Sequence, residues 1–385
     1  MLAAFENVTF GYAGVPVVEN VSFTLREKER VGFLGGNGEG KTTILKLLTG
    51  ALAPDAGSIV RKRDLTLGYL EQTGGFTADC TVYGAMEEVF EEDRRLLERL
   101  KETELAMAHA DEAEMRILSA RHESLTKRIA ARDSYHTDVR IRTVLGGMGF
   151  EGMYAQNVAT MSGGERTKLK LCRLLLEEPE LLVLDEPTNH LDMSTLFWLE
   201  DYLSSYKGAL LIVSHDRYFL DRLTSRTLEL ENGKLTSYKG SYSRYKVLRE
   251  EERKAEERAY EKQQEEIRKL RTYVEKNIVR ATTASSAQSR VKQLEKMEVL
   301  ERPRAPKRPP VFRFTYDDTP YERILNAEHF DLTVEGKTLL KDASFTLMRG
   351  QKCAILGDNG TGKTTLLTFL LSADPRVARA RFARI

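Results

Sequence analysis

Residues 161–192 read MSGGERTKLKLCRLLLEEPELLVLDEPTNHLD. The first part, SGGE, opens a helix with a serine and two glycines. Such a start leaves backbone N–H groups pointing outward, and together with the helix dipole they attract anions such as phosphate. The later part, LLVLDEP, is an apolar run of strand length that ends in two carboxylates. A buried parallel strand reads this way, and it would deliver Asp185 and Glu186 to its C-terminal edge, where open α/β sheets place their ligands. One helix joins the anion binder to the carboxylate pair, so the question for the rest of the chain is what supplies the phosphates.

Working outward, the 385 residues are too many for one ordinary domain, and two or three are expected. Apolar content of 41% supports real cores, while 30% charged residues must be concentrated somewhere. A net charge of +1 excludes a polycation taken as a whole. Cys80, Cys172 and Cys353 show neither paired nor metal-ligand spacing, which fits a reducing cytoplasm. No apolar run approaches the ~20 residues of a membrane helix, and Met1 leads into a strand-like VTF, so a soluble chain away from membranes is expected.

Upstream, EKERVGFLGGNGEGKTTILKLL places a short apolar strand, then a glycine-rich turn, then a helix. GGNGEGKT fits the phosphate-binding pattern G-x-x-x-x-G-K-[ST] in full, with a strand before it and a helix after it. The turn (Gly35, Gly36, Asn37, Gly38, Glu39 and Gly40) can wrap its N–H groups around a β-phosphate. Lys41 adds a point charge at the β/γ-phosphates, and the Thr42 hydroxyl, followed by Thr43, can ligate Mg²⁺. Asp185 then becomes the Mg²⁺-side carboxylate and Glu186 the candidate general base that activates water. ALLIVSHD is another apolar strand ending in polar groups, and it sets His215 on the phosphate side.

These residues resemble an ATP-binding cassette ATPase, with the motifs in that family's order. The resemblance makes Tyr12 the adenine-stacking residue and Gly35 to Thr43 the Walker A loop. Gln72 in GYLEQ becomes the Q-loop, which also reaches the metal. Ser162, Gly163 and Gly164 with Glu165 are the signature, and Leu181 to Glu186 the Walker B strand. Leu191 and Asp192 form the D-loop, and His215 is the switch histidine. It implies ATP and Mg²⁺ as cofactors, with ATP held between the Walker A of one cassette and the signature of another. EPTNHLD resembles the F subfamily, soluble tandem cassettes that work on the ribosome. The charged helical stretch from about 87 to 132 is similar to the arm inserted there in that subfamily.

From 241 to 310 there are 19 basic residues against 12 acidic, a net of +7, so the rest of the chain stands at −6. A long helix with Ile267, Leu270 and Val274 in its seam is expected, then a polar break (RATTASSAQSR), then a second helix through Val291, Leu294 and Met297. Lys276, Arg280, Arg290 and Lys292 flank the tip. Charge alone reads equally as a solvated spacer or as a probe for RNA phosphates. The hairpin resembles the subfamily's interdomain linker, which reaches toward peptidyl-tRNA, and on that resemblance the ribosome, through rRNA and tRNA, is the expected partner.

Sliding the chain by 322 residues aligns NVSFTLREKERVGFLGGNGEGKTTILKLL with DASFTLMRGQKCAILGDNGTGKTTLLTFL, with fourteen of 29 positions identical. GDNGTGKT is a second complete Walker A: Gly357, Asp358, Asn359, Gly360, Thr361, Gly362, Lys363, Thr364 and Thr365, with Thr364 as its metal ligand. Val334 stands where Tyr12 would be. After Lys363 only 22 residues follow, with no second signature or Walker B among them. The expected fold is α/β: a P-loop cassette with a mixed sheet, flanking helices and a helical arm at 1–240, a helical-hairpin linker at 241–310, and the start of a second cassette at 311–385. These residues are expected to bind ATP and hydrolyse it slowly, unless two chains pair their first cassettes head to tail. The other readings are the motor subunit of a membrane transporter and a DNA-associated ATPase.

Overall fold

The computed structural model describes residues 1–70, 76, 80–189, 191–277, 284–300, 311, 321–334, 337–357 and 360–373. The expected site residues Gln72, Asp358 and Asn359, and Arg280 of the hairpin, lie outside them.

A six-stranded sheet is built from β3 (Arg30–Gly35), β5 (Leu67–Tyr69), β6 (Leu181–Asp185), β7 (Ala209–Val213), β8 (Arg226–Glu231) and β9 (Lys234–Lys239). Its order is β5-β6-β7-β3-β8-β9, parallel throughout except for the β8–β9 hairpin. The apolar runs are explained by burial on both faces. Within LLVLD and ALLIV side chains alternate between two cores. Leu182, Leu184, Leu210 and Ile212 enter one, and Leu181, Val183, Leu211 and Val213 enter the other. The second core is closed by α1 (Lys41–Thr49), through Ile44, Leu45, Leu47 and Leu48. It is also closed by an antiparallel sheet of β1 (Ala3–Tyr12), β2 (Val15–Leu25) and β4 (Ala56–Arg61), in the order β2-β1-β4. Arg61 reaches back to stop α1, donating to the carbonyls of Leu48 (2.8 Å) and Leu47 (2.5 Å) beside the left-handed Gly50.

The first core is covered by helices α2 (Val82–Glu87), α5 (Thr137–Gly147), α6 (Gly163–Glu177), α7 (Met193–Ser204) and α8 (Arg217–Leu223). Between α2 and α5, α3 (Glu91–Met107) and α4 (Glu112–Arg132) pack on each other through Leu96, Leu100, Leu125 and Ile129. At the base of this pair the nearly buried Asp93 carboxylate accepts from Arg132 at 3.0 and 3.1 Å and also binds the Ser134 hydroxyl. Burial raises the Asp93 pKa, but the bonds from Arg132 and Ser134 outweigh it and hold the group below the usual carboxylate range.

α9 (Tyr242–Asn277) is 36 residues long, which at 1.5 Å per residue gives about 54 Å. α10 (Ala284–Lys296) returns against it, and Ile267 and Leu270 are buried in the seam. The Gln263 amide closes the far end of the return, donating to the Glu298 carbonyl (2.7 Å) and accepting from the Leu300 N–H (2.8 Å). Arg290 lies over the Tyr273 ring at 5.7 Å.

The second repeat forms β10 (Arg323–Val334), paired antiparallel with β11 (Lys337–Met348), and α11 (Lys363–Ala373). The stretch matching β3, residues 352–357, is not a strand, and Ile355 and Leu356 are 41% and 84% exposed. In the first repeat β3 is flanked by β7 and β8. Among the described residues no strand flanks its counterpart, and without neighbours its backbone has no ladder to join. No helix of the described residues is long and apolar enough to cross a membrane.

Candidate functional site

The glycine turn between β3 and α1 takes its shape from positive-φ positions. Gly38 has φ 82° and Gly40 φ 100°, and a Cβ on Gly40 would sit 2.6 Å from the Val17 side chain. Lys41 closes the loop: its Nζ donates to the carbonyls of Gly35 (2.7 Å) and Gly36 (3.0 Å). An ammonium held across the loop by two carbonyls stands where an arriving phosphate would draw it.

β6 ends at Asp185, beside β7, so the carboxylate pair emerges at the C-terminal edge of the parallel strands. Burial pushes the Asp185 carboxyl above its ordinary range, partly offset by the charge on Lys41. Glu186 adopts φ 49°, a left-handed conformation that is uncommon outside glycine and is concentrated at functional sites. It is pinned there by two bonds. Its N–H donates to the Val213 carbonyl at 2.8 Å, and its Oε2 accepts from the His215 N–H at 3.3 Å. The other oxygen, Oε1, is buried without a hydrogen-bond partner, although the His215 ring Nε2 is 3.5 Å away. That separation permits a Coulombic contact when the imidazole is charged but is long for a hydrogen bond. A buried carboxylate oxygen left open in a cleft is suited to receive a polar hydrogen from a water or ligand.

Lys41, Thr42, Thr43, Asp185, Glu186 and His215 line one cavity of about 550 Å³, together with Gly36, Asn37, Gly38 and Gly40. Tyr12 forms its outer wall, 51% exposed and edge-on to Phe10 at 5.1 Å. Volume and donor set suit a nucleoside triphosphate. The lining offers the Tyr12 ring for a base, the glycine turn and Lys41 for phosphates, and the two carboxylates for a metal and a water. A Mg²⁺ ion bridging those phosphates would take Thr42 and Asp185 as its protein ligands. No cluster of three or more His, Cys, Asp or Glu able to hold a metal alone is found among the described residues, and a phosphate-bridged Mg²⁺ needs none.

Two lining residues were not among those expected from sequence. Asn189 follows Glu186 closely, its N–H donating to the Glu186 carbonyl at 3.2 Å, and its place within EPTN was a usable signal. Val17 belongs to the antiparallel sheet and reaches the cavity only by folding, with no local signal.

Ser162 does not line the cavity. It caps α6 in a closed box: the Ser162 N–H donates to Glu165 Oε2 (2.8 Å) and the Glu165 N–H donates to Ser162 Oγ (3.3 Å). The outward amides expected at SGGE are therefore fewer than the glycines suggested, because S-x-x-E is itself a capping signature. The bonds from Ser162 hold the Glu165 carboxylate below its ordinary range. In the second repeat the Lys363 ammonium donates to the Gly357 carbonyl at 2.7 Å, the same bond that Lys41 makes to Gly35.

A family profile described as "ABC transporter" matches residues 18–189 and 340–377, and a second profile of the same description matches 228–314. The ATP-binding protein YdiF of Bacillus subtilis strain 168 is 36% identical over 373 residues, covering 96% of this chain and 58% of its own. The ABC transporter ATP-binding protein YfmM of the same organism is 34% identical, covering 96% and 71%. ABC transporter F family member 5 of Arabidopsis thaliana is 34% identical, covering 97% and 54%. The chain thus spans between about half and seven-tenths of the length of these relatives. A solved ATP-binding subunit of an ABC transporter overlays with a TM-score of 0.45 at 22% identity, covering 62% of this chain and 90% of its own. Cassette profiles on both repeats and relatives carried across nearly the whole chain lead to one conclusion: the chain belongs to the F subfamily of the ATP-binding cassette family.

Proposed function

We propose that this chain binds ATP·Mg²⁺ in the cavity between β3 and β6 and hydrolyses it, and that it uses the nucleotide to engage the ribosome through its linker. The carrying observation is the convergence of Lys41, Thr42, Asp185, Glu186 and His215 on one cavity. Lys41 and the loop amides hold the β/γ-phosphates, and Thr42 and Asp185 hold the metal, to which the family resemblance adds Gln72. Glu186, through its open Oε1, orients and deprotonates the attacking water. His215 senses the γ-phosphate and Tyr12 stacks on adenine.

The signature Ser162–Gly163–Gly164 serves a different cassette from the one carrying it, a reading supported by its absence from the lining of the Lys41 cavity. The partner cassette is that of Lys363, with Gly360, Thr361, Gly362, Thr364 and Thr365, or a second copy of this chain. These 385 residues hold one Walker B strand and one signature, so their own turnover should be slow. The net +7 of residues 241–310 and the long narrow hairpin of α9 and α10 support a role as a probe for RNA phosphates, with Lys276, Arg290 and Lys292 toward its tip.

The test is gradient sedimentation with ribosomes of the Glu186→Gln variant, which should trap the ATP-bound form, with and without ATP. ATP-dependent co-migration is expected. Normal ATP binding with no co-migration, alongside retention on duplex DNA at the same salt, would overturn the ribosomal reading in favour of DNA.

A further inference from the structure

Glu39 sits inside the phosphate-binding loop, yet its side chain turns away from the phosphate positions. Its Oε2 accepts a hydrogen bond of 2.8 Å from the N–H of Asn232, which is 193 residues away. Asn232 and Gly233 form the two-residue turn between β8 and β9, with φ of 51° and 76° and Glu231 paired to Lys234. Positive φ at both central residues, with Asn-Gly in sequence, is the tight hairpin turn that matches strand twist, so this turn is stiff. It is held from a second side by β2, whose Glu19 N–H donates to the Gly233 carbonyl at 2.8 Å.

The third side is the linker. At the root of α9, Arg249 bonds Glu231 at 2.6 Å, directly before the turn, and Glu229 at 3.1 Å. The Tyr245 hydroxyl donates to Glu229 (2.5 Å) and the Tyr238 hydroxyl donates to Glu252 (2.6 Å). A continuous bonded route therefore runs from Glu39 through Asn232 and Glu231 to Arg249. A more direct route is open space: a cavity of about 670 Å³, lined by Gly35, Gly36 and His215 on one side and Tyr242, Lys246 and Arg253 on the other, separates the loop from α9. In the second repeat the residue matching Glu39 is Thr361, too short for such a reach, so the device belongs to the first repeat.

We propose that Glu39 is a positioning residue that ties the phosphate-binding loop to the root of α9 through the Asn232–Gly233 turn. This rests on the nucleotide site described above. Nucleotide that reshapes the loop shifts the turn, and the turn shifts the root of the linker helix into the space beside it. The 29 residues from Arg249 to Asn277 span about 42 Å, so a tilt of about 5° at the root moves the far end by about 4 Å. By linkage, fixing the linker alters nucleotide affinity by the same factor that nucleotide alters the linker.

The experiment combines binding of a fluorescent ATP analogue with hydrogen–deuterium exchange of residues 242–253, with and without ATP·Mg²⁺. In the unchanged chain ATP should slow exchange at the α9 root. Glu39→Ala should still bind ATP, with affinity lowered on the order of threefold to tenfold, the worth of one ordinary hydrogen bond, and should lose the ATP-dependent protection. Glu39→Gln, which keeps an acceptor for Asn232, should recover it. Glu231→Ala removes the acceptor for Arg249, breaks the route beyond the loop and should also lose it. Equal ATP-dependent protection in Glu39→Ala and Glu231→Ala, or ATP binding with no change at the α9 root in the unchanged chain, overturns the coupling alone. Failure of the unchanged chain to bind ATP overturns the site itself and the coupling with it.

Discussion

Asp185 and Glu186 are neighbours in sequence but not in circumstance. Asp185 ends a buried strand, and its desolvated carboxyl has a raised pKa. A group whose folded-state pKa is raised lends stability that is complete below the ordinary carboxylate range and is lost as pH rises through the raised value. Above that range folding of the ligand-free chain therefore bears the cost of desolvating this carboxylate, which the Lys41 charge offsets only in part. Asp185→Asn should raise its melting temperature, by up to about 4 °C, while abolishing the Mg²⁺ dependence of ATP binding. The gain should shrink as pH is lowered toward 4, which a pair of thermal melts will show; a gain that persists unchanged in acid would contradict the assignment. Glu186 is instead held in a strained backbone position with one oxygen open. Glu186→Gln should lower steady-state ATP turnover by about 10²–10⁴-fold with ATP affinity within twofold or so of the unchanged chain. Both acids were legible as a pair because an apolar run of strand length ended on them. The bond from Asn232 to Glu39 was not, since nothing local marks a partner 193 residues distant.

Among the elements, the parallel strands and the glycine turn were the most readable. LLVLD and ALLIV are apolar throughout because both faces are buried, and GGNGEGKT forces the strand–turn–helix order. Packing between helices was not readable. Gly147, in the last turn of α5, is required by the only tryptophan: a Cβ there would lie 2.0 Å from the Trp198 ring, which stacks on Tyr202 at 5.2 Å. The sequence offers only a glycine in a helical stretch, with no hint of the indole against it. Gly147→Ala must displace the ring, costing about 1–3 kcal/mol, and should shift the tryptophan emission maximum to longer wavelength. An unchanged emission spectrum and melting point would refute this contact. In the signature segment the glycines drew the eye from a second signal: Ser162 and Glu165 close a capping box that takes their own two N–H groups.

For the molecule as a whole, the duplication visible at an offset of 322 residues yields two phosphate loops in different surroundings. The Lys41 loop opens onto a cavity shared with Tyr12 and the carboxylates of β6. The Lys363 loop keeps the lysine-to-carbonyl bond, but the chain entering it is not a strand, and Val334 stands in place of Tyr12. Repeat identity was thus plain from sequence, and the inequality of the two loops follows from which strands surround each. The most direct measurement is equilibrium titration of ATP·Mg²⁺ into the unchanged chain and into Lys41→Ala and Lys363→Ala. Loss of the principal binding in Lys41→Ala, with affinity retained in Lys363→Ala, is the predicted result. Undiminished binding in Lys41→Ala would contradict the central claim that the cavity of the first cassette is where ATP is held.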